Sequence, residues 1–136
     1  MSGTYLLVEL GGERYAIAAE DVLEVGAECA PVPLPGAPKG VLGLQNVRGE
    51  VLPLLDLAAL VGAGERGGLA ATMMVEQGGR RAVLAVDGLR DVAPLVVEDA
   101  RDETGPLRSS GLVDGSLVGV IDTGAVLDRV ETVTAG

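Results

Sequence analysis

Short apolar runs alternate with glycine-bearing dipeptides along almost the whole of this chain, at Gly11-Gly12, Arg48-Gly49, Gly78-Gly79 and Asp114-Gly115. Glycine supplies the positive φ that a two-residue hairpin turn demands, so each dipeptide reads as a hairpin connection. The flanking runs are Tyr5–Leu10 with Arg14–Ala19, Val41–Val47 with Val51–Asp56, Thr72–Glu76 with Arg80–Asp87, and Leu112-Val113 with Leu117–Asp122. Four hairpins in 136 residues predict an all-β chain. Short helices are predicted after the second and fourth hairpins, where Leu57–Val61 and Thr123–Val130 carry apolar residues at helical spacing. Pro53 lies inside a predicted strand and cannot donate to a ladder, so an edge strand or a bulge is expected there.

The chain also repeats itself. Gly49 through Leu60 lies over Gly115 through Val126 at a shift of 66 positions, with glycine, apolar run, aspartate and helix start recurring together. Arg14 through Val25 matches Arg81 through Val92 at a shift of 67. Two agreeing offsets imply two similar β units of roughly 65 residues, each too small to bury much surface alone, packed through a shared apolar layer. The linker is expected at Gly62–Gly68, with a partner groove between the units, and the charged segment Glu98–Ser110 is expected as an exposed loop.

Composition excludes most other functions. Apolar residues make up 48% of the chain but the only aromatics are Tyr5 and Tyr15, so the core must be aliphatic. The net charge of −10, with no basic tract, disfavours nucleic acid and anionic membrane surfaces as partners. No apolar stretch is long enough to span a membrane, so no direct membrane insertion and a cytoplasmic location are expected. The chain has no histidine and one cysteine, Cys29. That removes the imidazole base, the commonest metal ligand and any internal disulfide, so neither a catalytic site nor a metal or other cofactor is expected. A thiol enzyme would need a base beside Cys29 that the sequence does not supply. A small-molecule carrier using the crevice between the units is the other competing reading.

Individual residues divide into scaffold and candidate contacts. Asp56 and Asp122 each end a strand before a helical stretch, the N-cap position. Gly43 reads as a point of close strand approach, Gly49 as a turn residue and Asn46 as a side chain that holds that turn. Arg48 admits two readings, a solvated turn residue or a guanidinium offered to a partner's carboxylates and carbonyls. Glu24, between Val22 and Val25, admits the same two. The residue 66 positions after Arg48 is Asp114, so the repeat does not require a cation there, which favours recognition. Pro31–Pro38 reads as an extended segment over the first unit.

The run Pro35-Gly36-Ala37-Pro38, then Gly43, Asn46-Val47-Arg48-Gly49, and Val51 to Asp56-Leu57, closely resembles the signature of CheW-like domains, the coupling module of bacterial chemotaxis. The likeness extends from about Thr4 to Val130, through Tyr15-Ala16-Ile17, Val22–Val25, Val86-Asp87, Asp91-Val92 and Gly111–Asp122. The resemblance implies one domain over residues 1–136, built as two SH3-like, five-stranded β-barrel subdomains about a common core, with approximate limits 15–65 plus a C-terminal segment and 66–122. It implies a non-catalytic adaptor that binds the regulatory domain of a CheA-like histidine kinase and the cytoplasmic tip of a methyl-accepting chemoreceptor. By position, Arg48, Val22 and Glu24 would face the receptor, and Val32, Leu34 and Pro35 the kinase; Gly43, Asn46, Gly49, Pro53, Asp56 and Asp122 would be structural. The chain departs from the family at Ala58, where arginine is common, at Val83, where glycine is common, and in its long loop, which keeps only Pro106. Those departures bear on which partners are bound, and a pathway driving pili or development is the alternative to flagellar chemotaxis.

Overall fold

The apolar runs and glycine turns become ten strands and two helices in the computed structural model, which describes residues 2–26, 32–37, 39–63, 71–99, 107–113 and 116–134. In chain order these are β1 (Ser2–Leu10), β2 (Glu13–Ala18), β3 (Val22–Gly26), β4 (Val41–Val47), β5 (Glu50–Asp56), α1 (Leu57–Val61), β6 (Ala71–Gln77), β7 (Arg80–Val86), β8 (Gly88–Asp99), β9 (Leu107–Val113), β10 (Ser116–Ile121) and α2 (Thr123–Thr134), with a 3-10 turn at Ala19–Asp21. Three of the glycine dipeptides have the φ values of a type I′ turn: +58° and +84° at Gly11-Gly12, +53° and +88° at Arg48-Gly49, +62° and +80° at Gly78-Gly79. The fourth, Asp114-Gly115, lies outside the described residues, as do Cys29, Pro31, Pro38 and most of the expected linker.

The strands form a closed barrel in the order β1-β2-β10-β9-β8 and a second five-stranded sheet in the order β3-β6-β7-β5-β4. The repeat accounts for their likeness. A shift of 67 carries β1 and β2 onto β6 and β7, and a shift of 66 carries β4 and β5 onto β9 and β10. Each sheet has one parallel pairing, and the two are equivalent: Val120 lies beside Ala16 in the barrel, Leu54 beside Val83 in the second sheet. The second sheet is closed only in part, by Val32 and Leu44 exchanging two backbone hydrogen bonds of 2.8 Å. That bridge is the counterpart, 66 residues earlier, of the Glu98–Ser110 pairing that helps to close the barrel.

The two repeats have exchanged their first hairpins. The barrel takes β1 and β2 from the first repeat and β8, β9 and β10 from the second; the other sheet takes β6 and β7 from the second and β3, β4 and β5 from the first. The sheets therefore do not divide at 65/66: the barrel draws on both ends of the described chain and the second sheet on its middle. The expected loop Glu98–Ser110 is also shorter than its charge suggested, since β8 runs to Asp99 and β9 begins at Leu107.

The side chains follow the same symmetry. Leu7, Ala16, Val118 and Val120 fill the barrel interior. Leu52, Leu54, Val83 and Ala85 fill the second sheet; Ala16, Val118 and Val120 correspond to Val83, Leu52 and Leu54, and Leu7 to Met74, which packs against that cluster. The opposite faces meet in one shared core, with Leu6, Val8, Ile17 and Ile121 against Leu55, Met73, Val75, Leu84 and Val86, sealed by Leu57 of α1 and by Val126 and Leu127 of α2. Each such aliphatic side chain contributes about 1.5–3 kcal/mol on burial, which makes up for the missing aromatics by number.

Pro53 corrects one expectation. β5 is an interior strand, between β4 and β7, and the Pro53–Leu44 pair is not a bulge. The residue is tolerated because Leu44 directs its own N–H and C=O to Val32, making Leu44–Pro53 a pair without mutual hydrogen bonds, and because the ladder with β7 begins one residue later, at Leu54. The bulge on β4 lies instead between Val41 and Gly43.

The first hairpin turn is packed against the end of α1. A Cβ at Gly11 would lie 2.1 Å from the Ala63 carbonyl oxygen, whereas one at Gly12 would meet nothing within 4 Å, although both residues have positive φ. Gly12→Ala is expected to lose roughly 1 kcal/mol from conformation alone, and Gly11→Ala at least twice that. Urea unfolding of the two variants measures the difference, and equal losses would show that the turn can shift away from Ala63.

Candidate functional site

The β4–β5 turn places a charged residue where the other two described turns have glycine. Arg48, at φ +53°, is the one non-glycine residue with positive φ among the described residues. That conformation costs an L-residue roughly 1 kcal/mol or more, and it persists because the turn around it is fixed. Gly49 supplies the second positive φ, and its N–H donates to Asn46 Oδ1 at 2.8 Å. Val47 and Glu50 pair directly below the turn. Asn46 thus holds the turn, and the Arg48 side chain is left 81% exposed.

Arg48 Nη2 lies 2.9 Å from Glu24 Oε2 on β3. Because β3 and β4 are the two edges of the second sheet, this ion pair crosses the opening between them, near the seam that Val32 and Leu44 bridge. With both side chains exposed to water, the pair adds little to stability and leaves the guanidinium available to another carboxylate. The same strands and seam also carry exposed apolar side chains: Leu23 is 45% and Val25 51% exposed on β3, Val51 60% on β5, and Val32 67% at the seam.

Of the positions expected on this surface, Arg48 and Glu24 are brought together, whereas Val22 is half-buried against the shared core and supports β3 from beneath. The apolar side chains that β3 exposes are its neighbours Leu23 and Val25. Val51, opposite Asn46, is exposed as well, which its even spacing from the buried Leu55 concealed. Val32, Leu34 and Pro35 are exposed, with Val32 tied to Leu44 and the Leu34 carbonyl accepting from the Ala37 N–H at 3.0 Å. Gly43 is buried at the bulge of β4.

Asp56 Oδ1 accepts from the Ala59 N–H at 3.3 Å and Asp122 Oδ1 from the Ala125 N–H at 3.1 Å, the same cap 66 residues apart. Both carboxylates are thereby engaged at helix starts, in different sheets. Behind the Arg48 turn, Arg81 of β7 donates through Nε to Glu76 Oε2 at 2.6 Å and through Nη1 to Glu50 Oε1 at 2.9 Å. Those bonds, to Glu76 first and Glu50 second, raise its pKa above the usual value. Among the described residues no group of side chains is arranged to hold a metal ion, and no helix is long and apolar enough to cross a membrane.

Two like β-sheets thus share one core, and the second presents a cation on a strained turn at its open edge. The chain belongs to the CheW-like domain family, whose sequence profile matches residues 4–131. It is 28% identical over 138 aligned positions to a probable chemotaxis protein CheW of Rhizobium etli, covering 93% of this chain and 88% of that protein. It is 38% identical over 61 residues to protein FrzA of Myxococcus xanthus, a match spanning 45% of this chain and 38% of FrzA. Its fold superposes on the crystal structure of the scaffolding protein TtCheW from Thermoanaerobacter tengcongensis with a TM-score of 0.80, at 26% identity and 90% coverage of both chains. The chain is accordingly a non-catalytic, CheW-like scaffold of chemosensory signalling.

Proposed function

We propose that this chain couples the cytoplasmic tips of chemoreceptors to the regulatory domain of a CheA-type histidine kinase, acting in the cytoplasm at membrane-associated receptor arrays. Arg48 is the principal receptor contact, with Glu24 beside it and Val22 holding β3 in place; Val32, Leu34 and Pro35 contribute to the kinase contact. The observation that carries this reading is the Arg48 turn. Glycine occupies the same position in the two other described turns of this type without conformational cost, so the arginine is there for what its guanidinium can bind.

The match to FrzA supports a second reading of the pathway, in which the receptor and kinase belong to a non-flagellar system that drives pili or development. Both readings give the protein the same binding role. The test is co-elution of the purified chain with a receptor-tip fragment and with a kinase regulatory domain from each kind of pathway, at tens of micromolar. Co-elution with both members of one pair is expected, and failure with every pair would overturn the coupling role.

A further inference from the structure

We propose that Arg81 is a positioning residue for the Arg48 turn: through Glu50 it tethers the tip of the β4–β5 hairpin to β7 and so fixes where the Arg48 guanidinium is presented. The proposal rests on Arg48 being the receptor contact. Its starting point is a gap in the backbone ladder. β5 pairs with β7 only from Leu54 to Asp56, because Pro53 has no N–H to continue it toward the turn. In the barrel the equivalent ladder, though it has two pairs rather than three, starts one residue nearer the turn, at Gly119 beside Tyr15. From Glu50 to Pro53, the backbone of β5 is therefore paired with β4 alone among the described residues.

The Arg81–Glu50 ion pair spans that gap. Arg81 stands directly opposite Glu76 in the β6–β7 hairpin, and their 2.6 Å bond sets its guanidinium before it reaches Glu50. Glu50 in turn closes the Arg48-Gly49 turn by pairing with Val47. A planar fork held on one side by a rigid hairpin suits this use, since little orientational freedom is lost on making the second bond.

The barrel supplies an internal control. Glu9 and Arg14 stand opposite one another there as Glu76 and Arg81 do here. Yet the counterparts of Arg48, Glu50 and Pro53 are Asp114, Ser116 and Gly119. In the barrel Glu9 is engaged by Arg90 of β8 instead, and the carboxylate at the Glu50 position is present only in the sheet that has both the interrupted ladder and the exposed cation, which ties its purpose to that turn.

Amide hydrogen exchange on the intact chain, with and without a receptor-tip fragment, tests the tether. In Arg81→Ala and in Glu50→Gln, exchange at Val47, Glu50 and Leu52, whose N–H groups bond across the β4–β5 ladder, is expected to quicken roughly two- to fivefold, the range of a half-exposed ion pair, while β6, β7 and the melting temperature stay nearly unchanged. Arg81→Lys should restore part of the protection. Receptor-tip affinity should fall about two- to fivefold in Arg81→Ala, and by nothing further when Arg48→Ala is already present. Unchanged exchange at the tip overturns the proposal, as does an additive loss of affinity, which would make Arg81 a direct contact. A wild-type chain that binds no receptor tip refutes the coupling role instead, and the exchange measurement still decides the tether.

Discussion

Replacing Arg48 by asparagine is expected to yield a protein that is more stable and binds its receptor less well. Asn-Gly is the favoured pair for a type I′ turn because asparagine adopts positive φ at low cost, so relief of the Arg48 conformation is worth roughly 1 kcal/mol. Loss of the exposed pair with Glu24 offsets only a small part of that. A rise of a few degrees in melting temperature should accompany about a tenfold fall in affinity for the receptor tip, as befits a guanidinium at the centre of a contact. Arg48→Ala and Arg48→Glu should weaken binding similarly with little change in melting temperature. If every Arg48 substitution instead lowers the melting temperature by many degrees, the residue belongs to the scaffold and its exposure is incidental.

A larger effect is expected from cutting the chain between Glu65 and Arg66. Each fragment would hold part of both sheets: β1 and β2 without the barrel strands they pair with, β6 and β7 without β3, β4 and β5. Neither has a complete barrel or its half of the shared core, so each alone should show neither cooperative unfolding nor a native circular dichroism spectrum. Mixed in equal amounts, the two should assemble into one folded species, since every strand partner is then present. Retention of a folded state by either fragment alone would mean that a repeat can pair its own strands, and that the exchanged arrangement is one of two accessible folds.

That degeneracy explains what was legible in the sequence. The hairpins at Gly11-Gly12, Arg48-Gly49 and Gly78-Gly79 were, because glycine at positive φ between alternating apolar runs has few other uses. The starts of both helices were legible too, from aspartate before an apolar repeat at Leu57 and Thr123. The exchange of hairpins was not. β2 and β7 carry the same pattern, so the alternation that lets β2 lie beside β10 would let it lie beside β5 equally well; only the complete packing chooses. The reach of β8 to Asp99 was hidden by its charge, and the interior place of Pro53 by the fact that its partner, Leu44, turns its backbone toward Val32. At the candidate site Arg48 stood out as a charge in an apolar run, whereas Leu23, Val25 and Val51 looked like core until the sheet turned them outward.

The exchange also has a mechanical consequence. The chain passes from the barrel to the second sheet at Ala19–Asp21 and returns at Asp87, so two covalent straps run between the bodies beside a continuous aliphatic core. A force drawing the bodies apart cannot open them like a hinge; it would load both straps together and must tear strands from a sheet before the gap widens.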